Sequence, residues 1–229
     1  MRRRILIVTA VAAEADSVAG GLTASARPHA ADVLVGGVGP AAVAAATGAA
    51  LARAALEGEP YGLVVSAGIA GGFPGRAPLG SLVVSDAIVA ADLGADTADG
   101  FVPVEELGFG RSVHRVPAAL SGPAAAALAA AGLPHTTGTV LTVSTVTGTA
   151  ARAAALAARH PGAAAEAMEG FGVAEAAAAH GTGVLELRAV SNAVGPRDRA
   201  AWRIGDALDA LRRAVTALVP TLEEARPCS

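Results

Sequence analysis

Two carboxylates and one amide in this sequence lie just beyond apolar segments that predict β-strands. Glu14 follows the first such segment, Glu169 stands at the start of a predicted helix, and Ser191-Asn192 follow the apolar run that ends at Val190. Ligands of open α/β sheets bind beyond the carboxyl ends of the strands. A carboxylate there can activate water as a general base or accept hydrogen bonds from sugar hydroxyls. These positions are therefore candidates for catalysis.

Each of these residues also has a purely structural explanation. A carboxylate in the first turn of a helix is favoured by the helix dipole, which accounts for Glu14 and Glu169 equally well. Asparagine is common in loops because its side chain bonds to nearby backbone, which accounts for Asn192. No single residue decides the function, and the informative feature is that all three lie at predicted strand ends.

The composition excludes several kinds of chemistry. The 229 residues contain no lysine, which rules out a P-loop lysine, a Schiff base and lysine-anchored pyridoxal phosphate. The net charge of −3, with scattered arginines, provides no basic surface for nucleic acid. The one cysteine, Cys228, stands next to the C-terminus, and the 5 histidines lack the spacing of metal ligands. We therefore expect no metal site and no nucleic-acid partner.

The first residues allow two interpretations. Arg2-Arg3-Arg4 followed by apolar residues 5–13 is similar to the start of a signal peptide. The competing interpretation is a buried strand over residues 5–8, which β-branched side chains favour. We favour the strand, because one cysteine near the C-terminus does not fit an exported disulfide protein. No segment has the roughly 20 apolar residues of a membrane span. The sequence thus predicts a cytoplasmic protein without a membrane partner.

Strand-like apolar segments alternate with helical ones along the chain. Strands are predicted at residues 4–9, 32–36, 62–66, 81–89, 137–143 and 183–190, and helices at 41–56, 124–131, 150–158, 170–179 and 200–219. This alternation predicts one α/β domain over residues 1–229, with a largely parallel sheet and helices on both faces. Residues 163–168 are ambiguous, because their alanines favour a helix but a Pro-Gly turn precedes them. Residues after about 220 are expected to form a loose tail.

Two glycine-rich segments follow predicted strands. Gly37-Val38-Gly39-Pro40-Ala41-Ala42 nearly matches the dinucleotide-binding fingerprint, but no acidic residue stands at a strand end at the required distance. A tight strand-to-helix turn is therefore the favoured interpretation. The glycines of Ser66-Ala67-Gly68-Ile69-Ala70-Gly71-Gly72 serve either a turn or a close approach of the backbone to a ligand. Ser66 does not fit the frame of a nucleophile elbow.

Several of these segments together resemble the motifs of the nucleoside phosphorylase and nucleosidase superfamily. Residues 66–72 are similar to its N/S-x-G-x-A-G-G segment, and Ala167-Met168-Glu169-Gly170 to its E-M-E-x ribose motif. Arg188-Ala189-Val190-Ser191-Asn192 is similar to its R-x-I-S-D/N base motif. Ala10-Val11-Ala12-Ala13-Glu14 resembles the A-M-x-x-E start of its methylthioadenosine/S-adenosylhomocysteine nucleosidases. The resemblance extends from residue 5 to about 219 and implies that superfamily's mixed, largely parallel twisted sheet, flanked by helices.

The resemblance implies a role for each matching residue. Glu14 would position and deprotonate the attacking water, Glu169 would bind the ribose hydroxyls, and Asn192 would face the leaving base. The substrate-binding residues that it implies are Ile69, Ala70, Val146, Thr147, Met168 and Ser191. It also implies a nucleoside substrate, no metal or organic cofactor, and assembly as a homodimer or larger homo-oligomer.

Two departures from the family pattern bear on the reaction. Position 167 is alanine where the E-M-E motif has its first glutamate. The methylthioadenosine nucleosidases carry an aspartate that can protonate N7 of adenine, where this chain has Asn192. The amide of Asn192 can donate to a 6-oxo group while its carbonyl accepts from a protonated N7, which favours hypoxanthine as the leaving group. A flipped amide would match adenine instead.

The same residues favour hydrolysis over phosphorolysis. A phosphorylase needs arginine and backbone donors around its phosphate, and the 37–42 turn has no arginine. The water-positioning Glu14 is present. We therefore expect a nucleosidase that hydrolyses the N-glycosidic bond of an oxopurine nucleoside and releases hypoxanthine. The alternatives are a purine nucleoside phosphorylase, a methylthioadenosine/S-adenosylhomocysteine nucleosidase and, in another class, a non-catalytic nucleoside-binding protein.

Overall fold

Strands and helices alternate through residues 4–224, which are the residues that the computed structural model describes. The strands are β1 (Ile5–Thr9), β2 (Ala31–Val35), β3 (Leu63–Gly72), β4 (Leu82–Ala90), β5 (Gly94–Thr97), β6 (Gly100–Pro103), β7 (Val113–Arg115), β8 (His135–Thr142), β9 (Ala163–Ala167) and β10 (Gly183–Ala193). The helices are α1 (Ala12–Ala24), α2 (Pro40–Leu56), α3 (Ala118–Ala130), α4 (Ala150–Arg159), α5 (Gly170–Ala179) and α6 (Ile204–Glu224). The short strands β5, β6 and β7 lie in a connection for which the sequence predicted no elements.

Strand β3 connects two parts of one mixed sheet. Its first half pairs in parallel with β1, which pairs in parallel with β2, and its other edge pairs in parallel with β10. Its last residues, Gly71 and Gly72, pair antiparallel with β9, and β9, β8, β4 and β10 follow as successive neighbours. Because β10 pairs with both β3 and β4, strands β3, β9, β8, β4 and β10 form a closed ring. The predicted α/β class with a mixed, largely parallel sheet is confirmed, whereas the closure was not predicted.

The N-terminal segment is a buried strand. Ile5 and Ile7 pack on the side of α1, α3 and α6, while Leu6 and Val8 pack on the side of α2 and α5. All four are at most 2% exposed, since successive side chains of a strand point to opposite faces and both faces are covered. The strand interpretation is confirmed for these residues, and Arg2-Arg3 lie outside the described residues. No helix within residues 4–224 is long and apolar enough to cross a membrane.

The ambiguous segment at residues 163–168 forms strand β9, and every residue of that strand is buried. It lies between β8, with which it pairs in parallel, and the end of β3. The helix propensity of alanine is worth less than about 1 kcal/mol per residue, so burial between two strands overrides it. This strand brings its C-terminal end to the end of β3.

Helix α6 corrects the prediction of a loose tail after about residue 220. The helix continues to Glu224 with Pro220 inside it, and Leu218, Val219 and Leu222 are each at most 3% exposed. Pro220 removes one backbone donor, but the burial of these apolar side chains on both sides of it keeps the helix intact. Residues 225–229, which include Cys228, lie outside the described residues.

Candidate active site

A cavity of about 290 Å³ lies where the carboxyl ends of β3, β9 and β10 meet. All nine predicted site residues line it: Glu14, Ile69, Ala70, Val146, Thr147, Met168, Glu169, Ser191 and Asn192. The sequence therefore identified residues from five separate parts of the chain that the fold brings to one cavity. Within residues 4–224, no group of three or more His, Cys, Asp or Glu side chains is arranged to hold a metal ion.

Glu14 is held in the first turn of α1 by backbone donors alone. Its Oε2 accepts from the N–H groups of Ala10 at 2.9 Å and Val11 at 3.3 Å, and its Oε1 accepts from the N–H of Ile69 at 2.8 Å. The residue is only 4% exposed. The carboxylate thus contributes to capping α1, as its structural explanation predicted, and it also lines the cavity. Glu14 therefore fits both the structural explanation, a carboxylate at a helix start, and the functional one, a carboxylate that lines the candidate site.

Glu169 stands immediately before α5 and is fixed from three sides. Its Oε1 accepts from the N–H of Gly39 at 3.3 Å, while its Oε2 accepts from the N–H of Met168 at 3.2 Å and from Nη2 of Arg188 at 3.3 Å. Gly39 has φ +90°, which glycine adopts readily. The glycine-rich turn before α2 therefore presents its backbone donor to a protein carboxylate, behind the cavity lining, which agrees with its interpretation as a turn.

Arg188 is a buried guanidinium that joins three elements of the site. It is 1% exposed, and its Nε donates to Oε1 of Glu186 at 2.8 Å. Its Nη2 donates to Ser66 Oγ at 3.2 Å and to Glu169, and its Nη1 donates to the carbonyl oxygen of Ile69 at 3.4 Å. Burial by itself would lower the pKa of Arg188, but the surrounding carboxylates raise it. The guanidinium is therefore a permanent cation.

The strands beside the cavity extend beyond their predicted ends. Because β3 continues to Gly72 and β10 to Ala193, residues 66–72 and Ser191-Asn192 lie within strands rather than after them. The pairing of β10 with β3 is shifted between Val190 and Asn192, which leaves Ser191 without a partner in the register. Irregularities of this kind redirect side chains beside active sites. Here both Ser191 and Asn192 line the cavity.

The neighbours of the Asn192 amide determine its orientation. Nδ2 donates to the carbonyl oxygen of Ala193 at 3.0 Å, and Oδ1 accepts from the Ser191 hydroxyl at 2.9 Å. A carbonyl oxygen only accepts, so this hydrogen-bond network assigns the nitrogen to the side of Ala193. One N–H of Nδ2 remains available to a ligand.

Sequence reasoning missed several residues of the cavity wall. Glu166 lines the cavity and accepts from the backbone N–H of Thr147 at 2.8 Å and from the Thr147 hydroxyl, so it fixes the segment that holds Val146. Assignment of residues 163–167 as a strand would have found it, because Glu166 and Met168 then share one side of the chain. Arg197, Trp202 and Ile204 also line the cavity, after the end of β10. No sequence pattern that we recognised identified these three.

The sheet and the site at its carboxyl ends define a protein of the Phosphorylase superfamily, and residues 19–223 match that family. A methylthioadenosine/S-adenosylhomocysteine nucleosidase from Colwellia psychrerythraea, solved in complex with adenine, has the same fold. It superposes with a TM-score of 0.82 over 100% of this chain and 99% of its own, at 20% sequence identity. The superfamily predicted from the motifs is thus confirmed.

Two relatives refine this class. The futalosine hydrolase of Streptomyces coelicolor is 62% identical over 97% of this chain and 98% of its own length. The futalosine hydrolase of Acidothermus cellulolyticus is 51% identical over 93% of this chain and 89% of its own length. Within the Phosphorylase superfamily, the chain belongs to the futalosine hydrolase family.

Gly68 of β3 is the residue that leaves space for the charged groups. A Cβ atom there would overlap Oε1 of Glu14 and would lie 2.7 Å from Nη1 of Arg188. We expect Gly68→Ala to displace both groups and to reduce kcat/KM by about 10²-fold, since misplacement of about 1 Å can cost that much. Steady-state assays of base release measure the effect.

Gly48→Ala is the matched control for this substitution. Gly48 lies inside α2, and a Cβ atom there would meet nothing within 4 Å. Activity should stay at the wild-type level, while the free energy of unfolding rises by about 0.5–1 kcal/mol because alanine favours the helix. Equal activity of the Gly68 and Gly48 variants would contradict the steric account.

Proposed function

We propose that this protein hydrolyses the N-glycosidic bond of futalosine, releasing hypoxanthine and leaving dehypoxanthine futalosine, as a step of menaquinone biosynthesis. Its relatives from S. coelicolor and A. cellulolyticus, both futalosine hydrolases, support the substrate. The observation that carries the reaction type is the buried Glu14 carboxylate, which lines the cavity and is oriented by backbone N–H groups.

In the proposed mechanism, Glu14 is the general base. As the bond between the base and the ribose breaks, positive charge develops on the anomeric carbon and the ring oxygen. The oxygen of a water molecule attacks the anomeric carbon, and its proton passes to the Glu14 carboxylate. The backbone bonds to Ala10, Val11 and Ile69 hold that carboxylate in one orientation throughout. Orientation of this kind is what an efficient proton transfer requires.

Glu169 is the proposed ribose-binding residue. Its bonds to Gly39, Met168 and Arg188 leave one lone-pair site, on Oε1, free to accept from a ribose hydroxyl. Its negative charge also stabilises the positive charge that develops on the sugar. In the proposed complex, Met168 packs against the sugar, and Ile69 also lies beside the sugar.

Asn192 is the proposed selector of the base. In the orientation set by Ser191 and the Ala193 carbonyl, its free N–H suits the 6-oxo group of hypoxanthine. Its Oδ1 retains a lone pair for N7–H once N7 of the leaving base has taken a proton from solvent, because the amide has no proton to give. Val146 and Thr147 cover the purine, and the bonds from Thr147 to Glu166 hold this cover in place.

The charge of the site supports water rather than phosphate as the nucleophile. Arg188 is the buried cation next to Glu14 and Glu169, and its Nε is already bonded to Glu186. With Glu166 and Arg197 of the cavity wall included, four carboxylates face two guanidinium groups. A phosphate oxygen about 4 Å from one carboxylate would be repelled by about 4 kcal/mol at an effective dielectric of about 20. A neutral water molecule meets no such repulsion.

Two further properties belong to the proposal. We infer a cytoplasmic location, which the burial of Ile5–Thr9 as a strand of the sheet supports. We also infer a homodimer or larger homo-oligomer, as the motifs shared with the superfamily imply.

Incubation of the purified protein with futalosine, with and without phosphate, tests the activity. We expect phosphate-independent release of hypoxanthine, and slower release of base from inosine and methylthioadenosine, measured by chromatography. Release that requires phosphate and yields ribose 1-phosphate would indicate a purine nucleoside phosphorylase. Preference for methylthioadenosine would indicate the other nucleosidase. Binding without release would indicate a nucleoside-binding protein.

Glu14→Gln should lower kcat by about 10²–10⁴-fold, because the amide cannot take the proton of the attacking water. Binding of futalosine, measured by calorimetry, should persist. The matched control is Asp16→Asn, which removes one carboxylate charge from the exposed side of the same helix. The control should retain full activity. A fully active Glu14→Gln protein would contradict the assignment of Glu14 as the general base.

Asn192→Asp should shift preference toward a 6-amino base, because a protonated carboxyl can donate to N7 of a leaving adenine. We expect the ratio of kcat/KM for futalosine to that for its 6-amino analogue to fall by roughly tenfold or more. The ratio serves as its own control, since any loss of folded protein affects both substrates equally. An unchanged ratio would show that Asn192 does not select the base.

A further inference from the structure

Glu186 is a buried carboxylate that the proposed mechanism does not use. It lies on β10 two residues before Arg188, so both side chains point to the same face of the sheet. Glu186 is 0% exposed and, like Arg188, is not among the residues that line the cavity. Its Oε1 accepts from Nε of Arg188 at 2.8 Å, while its Oε2 has no hydrogen-bond partner within residues 4–224.

Stability alone does not explain a carboxylate at this position. Its neighbours Leu185 and Leu187 are buried in the apolar core. Replacement of a buried ion pair by well-packed apolar residues is often neutral or stabilising. The fold nevertheless makes space for the acid, because a Cβ atom at Gly170 would overlap the Glu186 carboxylate. A glycine at the first position of α5 costs helix stability.

The geometry points to the guanidinium as the reason for this carboxylate. Arg188 uses Nη1 and Nη2 toward Ile69, Ser66 and Glu169, and these bonds require its plane to be fixed. Its Nε donates to Glu186, which is not among the residues that line the cavity. Charge-assisted bonds of this length are strong and directional. Glu186 therefore holds the guanidinium at Nε, while Nη1 and Nη2 bond to Ile69, Ser66 and Glu169.

We propose that Glu186 is a positioning residue for the reaction: it orients Arg188 and balances its charge, and through Arg188 it fixes the carboxylate of Glu169. This inference rests on the proposed function. It assigns Glu186 no contact with the substrate. It accounts for the buried acid and for the glycine at position 170, which leaves room for that acid.

The ionisation of Glu186 makes this role dependent on pH. Burial raises the pKa of Glu186, the nearby guanidinium of Arg188 lowers it, and the charge of Glu169 raises it again, with a net upward shift. Besides these two groups, Glu14 of α1 faces the same guanidinium, and the Ser85 hydroxyl accepts from the backbone N–H of Glu186. As pH falls through the raised pKa, Glu186 loses its charge and Arg188 loses its balancing anion.

Glu186→Gln tests the proposal with a side chain of the same size. The amide oxygen can still accept from Nε, so the protein should fold, but the charge is lost. We expect kcat at neutral pH to fall by roughly tenfold. We also expect the acidic limb of the kcat/KM profile to move to lower pH, because glutamine has no proton to gain. Wild-type kcat with an unmoved acidic limb would overturn the proposal.

Glu186→Leu removes the acceptor as well and should lower kcat by about 10²-fold, so that the glutamine variant is the partial rescue. If the leucine variant does not fold, the pH profile of the glutamine variant decides alone.

The control is Glu223→Gln. Glu223 is a buried carboxylate of α6 that pairs with Arg27 and also has an Oε2 without a hydrogen bond. Its removal should leave kcat and the pH profile unchanged, and an equal effect of both glutamine variants would overturn the positioning role.

The substrate of the assay keeps this inference separate from the proposed function. All variants are compared with wild type on whichever of futalosine, inosine and methylthioadenosine the wild type hydrolyses fastest. If the wild type hydrolyses one of the other nucleosides but not futalosine, the proposed substrate is wrong. The variants can still be compared with wild type on that other nucleoside. A wild-type profile for Glu186→Gln on the best substrate defeats the positioning role and leaves the substrate assignment intact.

Discussion

The buried guanidinium of Arg188 is the group on which the arrangement of the site depends. A buried cation without acceptors costs several kcal/mol, so each of its hydrogen bonds constrains the element that supplies the acceptor. Glu186 lies on β10, Ser66 and the Ile69 carbonyl on β3, and Glu169 at the start of α5. A one-residue slip of β10 against β3 would turn Arg188 to the other face and break all of these bonds. One side chain thus ties the register of two strands to the position of a helix.

Small residues make this concentration of charge sterically feasible. The Glu14 carboxylate and Arg188 come together over Gly68, which has no side chain to separate them. Gly170 leaves the same kind of space for Glu186. The shift in pairing after Val190 lets consecutive residues of β10 line the cavity, which a regular strand would direct to opposite faces. The backbone therefore contributes to the site as much as the polar side chains do.

The parts of the fold that follow from local chemistry could be predicted from the sequence. The apolar run of β1 and the alanine-rich α2 were assigned within one residue of their observed bounds. Residues 163–167 were not, because alanine alone does not distinguish a buried strand from a helix and only the neighbours β3 and β8 decide. The nine residues predicted from short motifs and from the positions that match the family all line one cavity. Glu186 was missed because a carboxylate within an apolar strand becomes meaningful only when its partner, Arg188, is known to be buried beside it.

On the proposed function, the two ends of the cavity perform different electrostatic tasks. Glu14 and Glu169 make the sugar end acidic, which favours a sugar that becomes positively charged as the bond breaks. Asn192 itself is neutral at every pH and has no acidic proton to transfer. A leaving purine must then carry its developing negative charge on an atom that the amide can reach. The 6-oxo group of hypoxanthine is such an acceptor, whereas the 6-amino group of adenine is a donor. A neutral amide at the base end therefore suits an oxopurine leaving group, and an acidic sugar end suits water as the nucleophile.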